Sequence, residues 1–212
     1  EALSIQFVRG IWNVGTTSGA YQAPILINAA GAWGDEVASL AGVRPIGLTP
    51  MRRTVIIFPG PVGVNLDGAP MVIDVEEEFY FKPEAGKILA SPADETPSPP
   101  CDAQPEELDV AVTVERVERA TNMAVEQIDH KWAGLRSFAS DRTPVVGFDT
   151  VKEGFFWLVG QGGYGIMTSP AIARAAAALA THQSWPEDLV RVGVHPESLS
   201  PSRPALIKKN ER

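Results

Sequence analysis

Residues 155–166 read Phe155-Phe156-Trp157-Leu158-Val159-Gly160-Gln161-Gly162-Gly163-Tyr164-Gly165-Ile166. Met167-Thr168-Ser169-Pro170 then leads into an alanine-rich run ending near Thr181. The stretch predicts a buried apolar strand, a glycine-rich turn, and a helix with a proline near its first turn. Glycine at positions 160, 162, 163 and 165 permits positive φ and lets another group approach the bare backbone. The following helix directs unpaired N–H groups and the positive end of its dipole back at the turn. That arrangement favours an electron-rich oxygen, as on a phosphate or a carboxylate. Close packing without any ligand is the competing explanation of the same residues.

The rest of the chain sets bounds on what such a turn can serve. A length of 212 residues allows one sizeable domain or two small ones. With 44% hydrophobic and 21% charged residues, the composition is that of a soluble globular protein. A net charge of -8 argues against a nucleic-acid partner or an anionic membrane surface. No apolar run reaches the ~18–20 residues needed to span a bilayer. The single cysteine, Cys101, excludes an intrachain disulfide framework and points to a reducing compartment, so the expected location is cytoplasmic. His130, His182 and His195 have no ligand-like spacing, so no metal site is expected.

Along the chain, residues 4–8 and 11–16 alternate as strands joined around Arg9-Gly10, and Thr17, Ser18 and Gly19 form a turn. Residues 24–28 are a continuous apolar run suited to a strand buried on both faces. They enter Ala29-Ala30-Gly31-Ala32-Trp33-Gly34, after which 35–40 reads as a helix stopped by Gly42. Strand, small-residue turn and helix therefore occur here too. Strands are predicted at 54–58, 71–75, 79–83 and 87–91. Residues 92–106, with five prolines, read as a surface loop. A helix is predicted over 108–125, with Val110, Val114, Val117 and Thr121 on one side. Short extended segments at 132–138 and 145–148 follow, then a short helix near 187–191. The tail from His195 is expected to fray. Arg52 and Arg53 point to opposite faces of a strand, which predicts one solvated arginine and one ion-paired at a domain junction.

Several patterns combine into something recognisable. They are Ile27-Asn28-Ala29-Ala30-Gly31-Ala32-Trp33, Phe79-Tyr80-Phe81-Lys82-Pro83, Trp132-Ala133-Gly134-Leu135-Arg136, the Asp-Arg-Thr-Pro-Val-Val-Gly of 141–147, and the glycines of 160–165. In that order they resemble the FAD-dependent D-amino-acid oxidase superfamily, particularly its glycine oxidase, D-amino-acid dehydrogenase and sarcosine oxidase-like members. The resemblance covers about residues 11–200. It implies an α+β fold in which an α/β FAD-binding half-domain is interleaved with an antiparallel-sheet substrate domain. The implied division is 1–44 for the second part of the FAD-binding domain, 45–131 for a substrate-binding sheet with a covering helix, and 132–212 for the last part of the FAD-binding domain. Members of the superfamily open with a Gly-x-Gly-x-x-Gly turn on a helix N-terminus, and residues 1–212 supply none. The resemblance is therefore to a C-terminal portion, expected to be inactive in isolation and to need the N-terminal FAD-binding segment or a partner chain.

The same resemblance assigns roles. Arg136 would clamp a substrate carboxylate through its planar fork of donors; a structural ion pair is the alternative, and Ser137 stands where the superfamily usually has proline. Tyr80 would reach the same carboxylate or close the pocket, unless it simply packs its ring. Gly160, Gln161, Gly162, Gly163, Tyr164, Gly165, Ile166 and Met167 would line the pyrimidine side of the isoalloxazine, where backbone N–H groups stabilise negative charge. Ala30, Gly31 and Trp33 would approach the FAD from the other sheet edge, with Trp33 otherwise a core residue. No cysteine lies in 126–170, so the FAD is expected to be noncovalent. The implied reaction is oxidation of the C–N bond of a D-amino acid, glycine or an N-methyl amino acid, with hydride passing to the flavin. A non-catalytic scaffold or subunit is the competing reading.

Overall fold

Why the run at 155–159 is apolar without interruption becomes clear in the computed structural model, which describes residues 1–207. The chain folds into two compact units, Glu1–Pro50 with Arg136–Arg212, and Met51–Leu135. In the first unit, β4 (Leu26–Asn28), β11 (Val145–Phe148) and β12 (Phe155–Val159) form a three-stranded sheet in the order β11-β12-β4. Strand β12 is its centre, antiparallel to β11 and parallel to β4. Phe155, Trp157 and Val159 face one core with Trp12, Val43 and Ile46, while Phe156 faces another with Ala176 and Leu199. Burial on both faces demands apolar residues at every position, which is the pattern read from the sequence. For β4 that expectation fails: Ile27 is 49% exposed because β4 is the edge of the sheet.

A meander of β1 (Ala2–Val8), β2 (Ile11–Thr16) and β3 (Gly19–Ala23) belongs to the same unit. Val8 pairs with Ile11, and Arg9 and Gly10 both take positive φ, the two-residue hairpin whose twist matches its strands. Strand β3 was not expected. All five of its residues are exposed, so it carries no hydrophobic alternation, and only its pairing with β2 makes it a strand.

Helices α1 (Gly34–Leu40) and α2 (Glu107–Ala120) follow their predicted places, but α2 is shorter than expected. Thr121 turns extended and its hydroxyl donates to Val117 O at 2.8 Å while accepting the Met123 N–H at 3.1 Å. A threonine that satisfies the backbone locally offers an alternative to continuing the helix. The second unit carries the six-stranded sheet, in the order β10 (His130–Phe138), β5 (Thr49–Pro59), β8 (Lys87–Ser91), β7 (Tyr80–Glu84), β6 (Val72–Ile73), with β9 (Thr96–Pro97) also on β5. Val110 and Val117 of α2 pack on Ile56, Phe58, Ile88 and Ala90 of this sheet. An α+β architecture with antiparallel sheets is therefore present, as expected.

The two adjacent arginines depart from expectation, since neither is solvated. Arg52 binds Glu106, and Asp109 at 2.9 Å; Arg53 donates to Asp94 O at 2.7 Å and lies 3.4 Å from Glu95. Opposite faces of one strand are thus both supplied with acceptors by the proline-rich loop and the start of α2. Asp94 accepts the Thr54 N–H at 2.7 Å and its hydroxyl at 3.1 Å. Burial nevertheless pushes the Asp94 carboxyl above its ordinary range. A raised folded value means that the protonated form fits the fold better, so this group's contribution is greatest at low pH and is lost as pH rises through the folded value. Asp94→Asn keeps an acceptor for Thr54, and it is expected to flatten the pH dependence of the urea midpoint on the side above the ordinary aspartate value of about 4; an unchanged profile would exclude Asp94 as its source.

Past α3 (Gly165–Ala180) and α4 (Glu187–Arg191), the tail does not fray within the described residues. It forms α5 (Pro196–Leu199) and α6 (Pro204–Ile207), and Leu199 and Leu206 are buried. Arg203 between them is 7% exposed and holds Asp141 with two hydrogen bonds of 2.7 and 2.8 Å. It also donates to the carbonyls of Thr143, Pro144, Leu199 and Ser200.

Candidate functional site

Strand β12 ends at Val159, and Gly160, with φ +75°, begins the glycine-rich turn. Two of the following glycines are bare because the protein's own side chains occupy the space. A Cβ on Gly162, where φ is +56°, would stand 2.4 Å from the Phe138 ring. A Cβ on Gly163 would stand 2.9 Å from Nη1 of Arg136. Arg136 and Phe138 are two apart on β10 and so project to the same side of it. The strand thus lays an arginine and an aromatic ring on consecutive glycines. The Arg142 guanidinium covers the Phe138 ring 4.0 Å from its centre, a cation–π contact that holds the ring in place.

Gly162→Ala combines a left-handed backbone with a clash against a rigid ring. It is expected to cost about 2–4 kcal/mol, read as a lower urea midpoint with an unchanged slope. A midpoint within error of the parent would show that the turn opens freely.

Helix α3 starts directly after a single 3₁₀ turn, Gly162–Tyr164. Its N-cap residue, Tyr164, makes no side-chain cap hydrogen bond among the described residues, and no acidic residue lies in its first turn. Tyr164, Ile166 and Met167 are exposed, Ile166 by 94%. Pro170, deeper in the helix than its first turn, removes the amide that would bond Ile166 O, and the Ser169 hydroxyl takes its place at 2.8 Å. The apolar side chains at this helix start thus face outwards, with the backbone between them uncapped by the Tyr164 side chain.

The other predicted cofactor residues lie at the same end of the sheet. Strands β4 and β12 are parallel, with Asn28 beside Trp157, and each runs out at its C-terminal end into a small-residue turn and a helix. In open sheets ligands bind in the crevice outside such strand ends. Asn28, 2% exposed, shapes the first turn: its amide donates to Gly34 O at 2.8 Å and its carbonyl accepts the Ala30 N–H at 3.3 Å. Gly31 then takes φ +57°. Trp33 is not a core residue; it is 44% exposed. With Ala30, Val37 and Leu40 it lines a cleft of about 600 Å³.

Arg136 is half-buried and Ser137 buried. The structure thus brings Arg136 onto the glycine-rich turn and sets Ala30, Gly31 and Trp33 at the neighbouring strand end. Tyr80 belongs to the second unit, half-buried on β7 opposite Ser91 of β8 and Ile73 of β6. Sequence reasoning missed Phe138 and Asn28 as the residues that shape the turns. The run of glycines was a signal that something rigid approaches them; nothing in the sequence named Phe138 as that partner. Among the described residues no group of three or more His, Cys, Asp or Glu side chains could hold a metal. None of the described helices is long and apolar enough to cross a membrane.

Comparison with known proteins bears on this arrangement. The family model described as DAO, FAD dependent oxidoreductase, matches residues 1–179. The chain belongs to this family. Among curated relatives of this DAO chain, FAD-dependent oxidoreductase domain-containing protein 1 of Xenopus laevis is 31% identical over 182 residues, 76% of this chain and 36% of that protein. Hydrogen cyanide synthase subunit HcnC of Pseudomonas aeruginosa is 26% identical over 180 residues, 81% of this chain and 40% of that protein. The chain therefore spans little more than a third of the length of these relatives. Glycine oxidase from Geobacillus kaustophilus superposes with a TM-score of 0.75 at 22% identity, over 96% of this chain and 52% of that one. L-proline dehydrogenase from P. horikoshii does so with 0.76 at 22%, over 99% and 54%. At such identities the two structures show a shared DAO fold, and the superfamily resemblance read from the sequence is borne out.

Proposed function

We propose that this chain supplies the flavin-facing turns and the carboxylate anchor of an FAD-dependent oxidoreductase that oxidises the C–N bond of an amino acid. The substrate is a D-amino acid, glycine or an N-methyl amino acid. The observation that carries the reading is the seating of Arg136 on Gly163, which sets a guanidinium beside the uncapped start of α3.

The residues present fit a noncovalent FAD. The first turn of α3 has no carboxylate to repel an anionic pyrimidine edge. Ala30 and Gly31 leave room for close passage, and Trp33, Ile166 and Met167 expose apolar surface to a flat ring. When bound, FAD supplies the hydride acceptor. The amides and dipole of α3 hold negative charge at the pyrimidine edge, preorganised and without reorientation. Arg136 binds the substrate carboxylate bidentately, which fixes the orientation of the carbon that loses hydride. With the amine arriving neutral, no general base is needed from the chain. In this reading residues 1–44 and 132–212 serve the cofactor, 45–131 serve the substrate, and Tyr80 contributes to the pocket from β7.

Gly163→Ala probes the seat of Arg136 directly. Only the far end of a flexible side chain must shift, so stability is expected to change by less than about 1 kcal/mol. KM for the amino acid is expected to rise with the displaced guanidinium, and an unchanged KM would separate Arg136 from the substrate. The function itself is tested by an absorbance spectrum of the protein with FAD, followed by anaerobic addition of D-amino acids, glycine and N-methyl amino acids. Bleaching of the flavin band by one class supports the reading and names the substrate. A protein that takes up no FAD, even with its N-terminal segment or partner chain supplied, overturns it and leaves a scaffold of the same fold.

A further inference from the structure

The second unit ends in an edge that its own sheet does not cover. Among the described residues, strand β6 is the last strand of the six-stranded sheet and pairs only with β7, Val72 beside Phe81 and Ile73 beside Tyr80. The Asp74 N–H bonds Phe79 O at 3.0 Å. In an antiparallel pair the bonded positions alternate, so Val72 and Asp74 turn their backbone groups towards β7 and Ile73 turns its own outwards. The segment leading to this edge makes turns closed by Val64 N–H to Pro61 O and Ala69 N–H to Leu66 O, and Leu66 anchors it to the core beneath α2. It leaves Val62, Val64, Met71, Val72, Ile73 and Val75 exposed, Val62 and Val75 almost completely. So many large apolar side chains on one strand edge and its approach mark an interaction surface.

Charge decides the kind of partner. Between residues 54 and 81 there are five carboxylates, Asp67, Asp74, Glu76, Glu77 and Glu78, and no Lys, Arg or His. Asp74 is occupied by the Glu76 and Glu78 amides, and Glu78 lies 3.7 Å from Arg116. Among the described residues Glu76 and Glu77 enter no salt bridge. A second copy of the same edge would bring like charges together, an arrangement that disfavours self-pairing. A basic extended segment has no such penalty.

We propose that β6 is a docking edge for an extended, basic segment of another protein, which adds as a further strand with its apolar side chains on the face of Ile73 and its cations on the opposite face, beside the acidic turn of Glu76 and Glu77. Backbone pairing gives affinity and the acidic turn gives selectivity. The test uses the FAD-loaded protein and a fluorescent heptapeptide of alternating lysine and valine. Two controls accompany it, a heptapeptide of alternating glutamate and valine and one of alternating lysine and proline.

Anisotropy is expected to report saturable binding of the lysine–valine peptide alone, weakened roughly tenfold when salt shortens the Debye length from about 10 to 5 Å. Ile73→Pro removes an N–H that faces away from β7 and is expected to abolish binding at unchanged melting temperature. Should that variant unfold, Glu76→Gln with Glu77→Gln provides the second test, with binding lost and the fold kept. The proposal is overturned if the glutamate–valine or lysine–proline peptide binds as well, if no peptide binds at millimolar concentration, or if the carboxamide pair leaves binding intact. It is equally overturned if the Ile73 amide of the protein alone is protected from hydrogen exchange, because its own chain or a second copy then covers the edge.

Discussion

Replacing Arg136 by Leu in the flavin-loaded protein is expected, under the proposed function, to raise KM for the amino acid at least about 30-fold, the lower end of the roughly 2–5 kcal/mol lost when a charge-assisted clamp is broken. Leucine keeps apolar contact with the Gly163 backbone but offers no donor. Flavin content should be unchanged, because in the proposed arrangement backbone amides of the turn and of α3, rather than this side chain, would face the FAD. Arg136→Lys is informative beside it. A lysine restores charge without the bidentate fork, so partial recovery of KM would assign the loss to charge and its absence to geometry. If KM of the leucine variant equals that of the parent, Arg136 has only a structural ion pair and the carboxylate is held elsewhere.

The largest effect on stability is expected from Arg203→Leu, at about 3–5 kcal/mol. The guanidinium is buried and makes six hydrogen bonds, two to the Asp141 carboxylate and four to backbone carbonyls. Leucine would leave that carboxylate facing a low-dielectric interior without its partner and the carbonyls without donors. Thermal unfolding should shift down by roughly 6–20 °C, given about 2–4 °C per kcal/mol for a chain of this size. Adding Asp141→Asn should recover part of the loss, since much of it is the uncompensated charge.

Hydrogen bonding to Arg203 holds the Asp141 carboxyl below its ordinary range. A depressed folded value contributes stability that is present above the unfolded value near 4 and is lost as pH falls through the folded value. Arg203→Leu should therefore also weaken the acid limb of the stability profile. A melting temperature within about 2 °C of the parent would show that the tail contributes little to the first unit.

The sequence by itself determined the elements whose burial is uniform along their length. Strand β12 is apolar at every position because both of its faces are covered, so five consecutive residues announce it. The valines of α2 recur every three or four residues because one face meets the sheet. The ordered set of small-residue and arginine motifs was enough to identify the superfamily. Glycines in sequence likewise announced a tight turn before a helix, since few other residues tolerate that backbone.

Only the tertiary structure decided what the glycines accommodate. A glycine reports that space is needed but not what fills it, and Phe138 and Arg136 reach the turn from a strand more than twenty residues away. Strand β3 exists through pairing alone. The burial of Arg203 was illegible for a related reason: a polar, proline-rich tail reads as solvated until an aspartate sixty-two residues earlier is brought beside it. Exposure of Trp33 belongs to the same class, because aromatic character predicts burial and the position of β4 at the sheet edge overrides it. Local chemistry is written in neighbouring residues, whereas the partners of a bare backbone or a buried charge come from distant parts of the chain and are fixed only when those parts fold together.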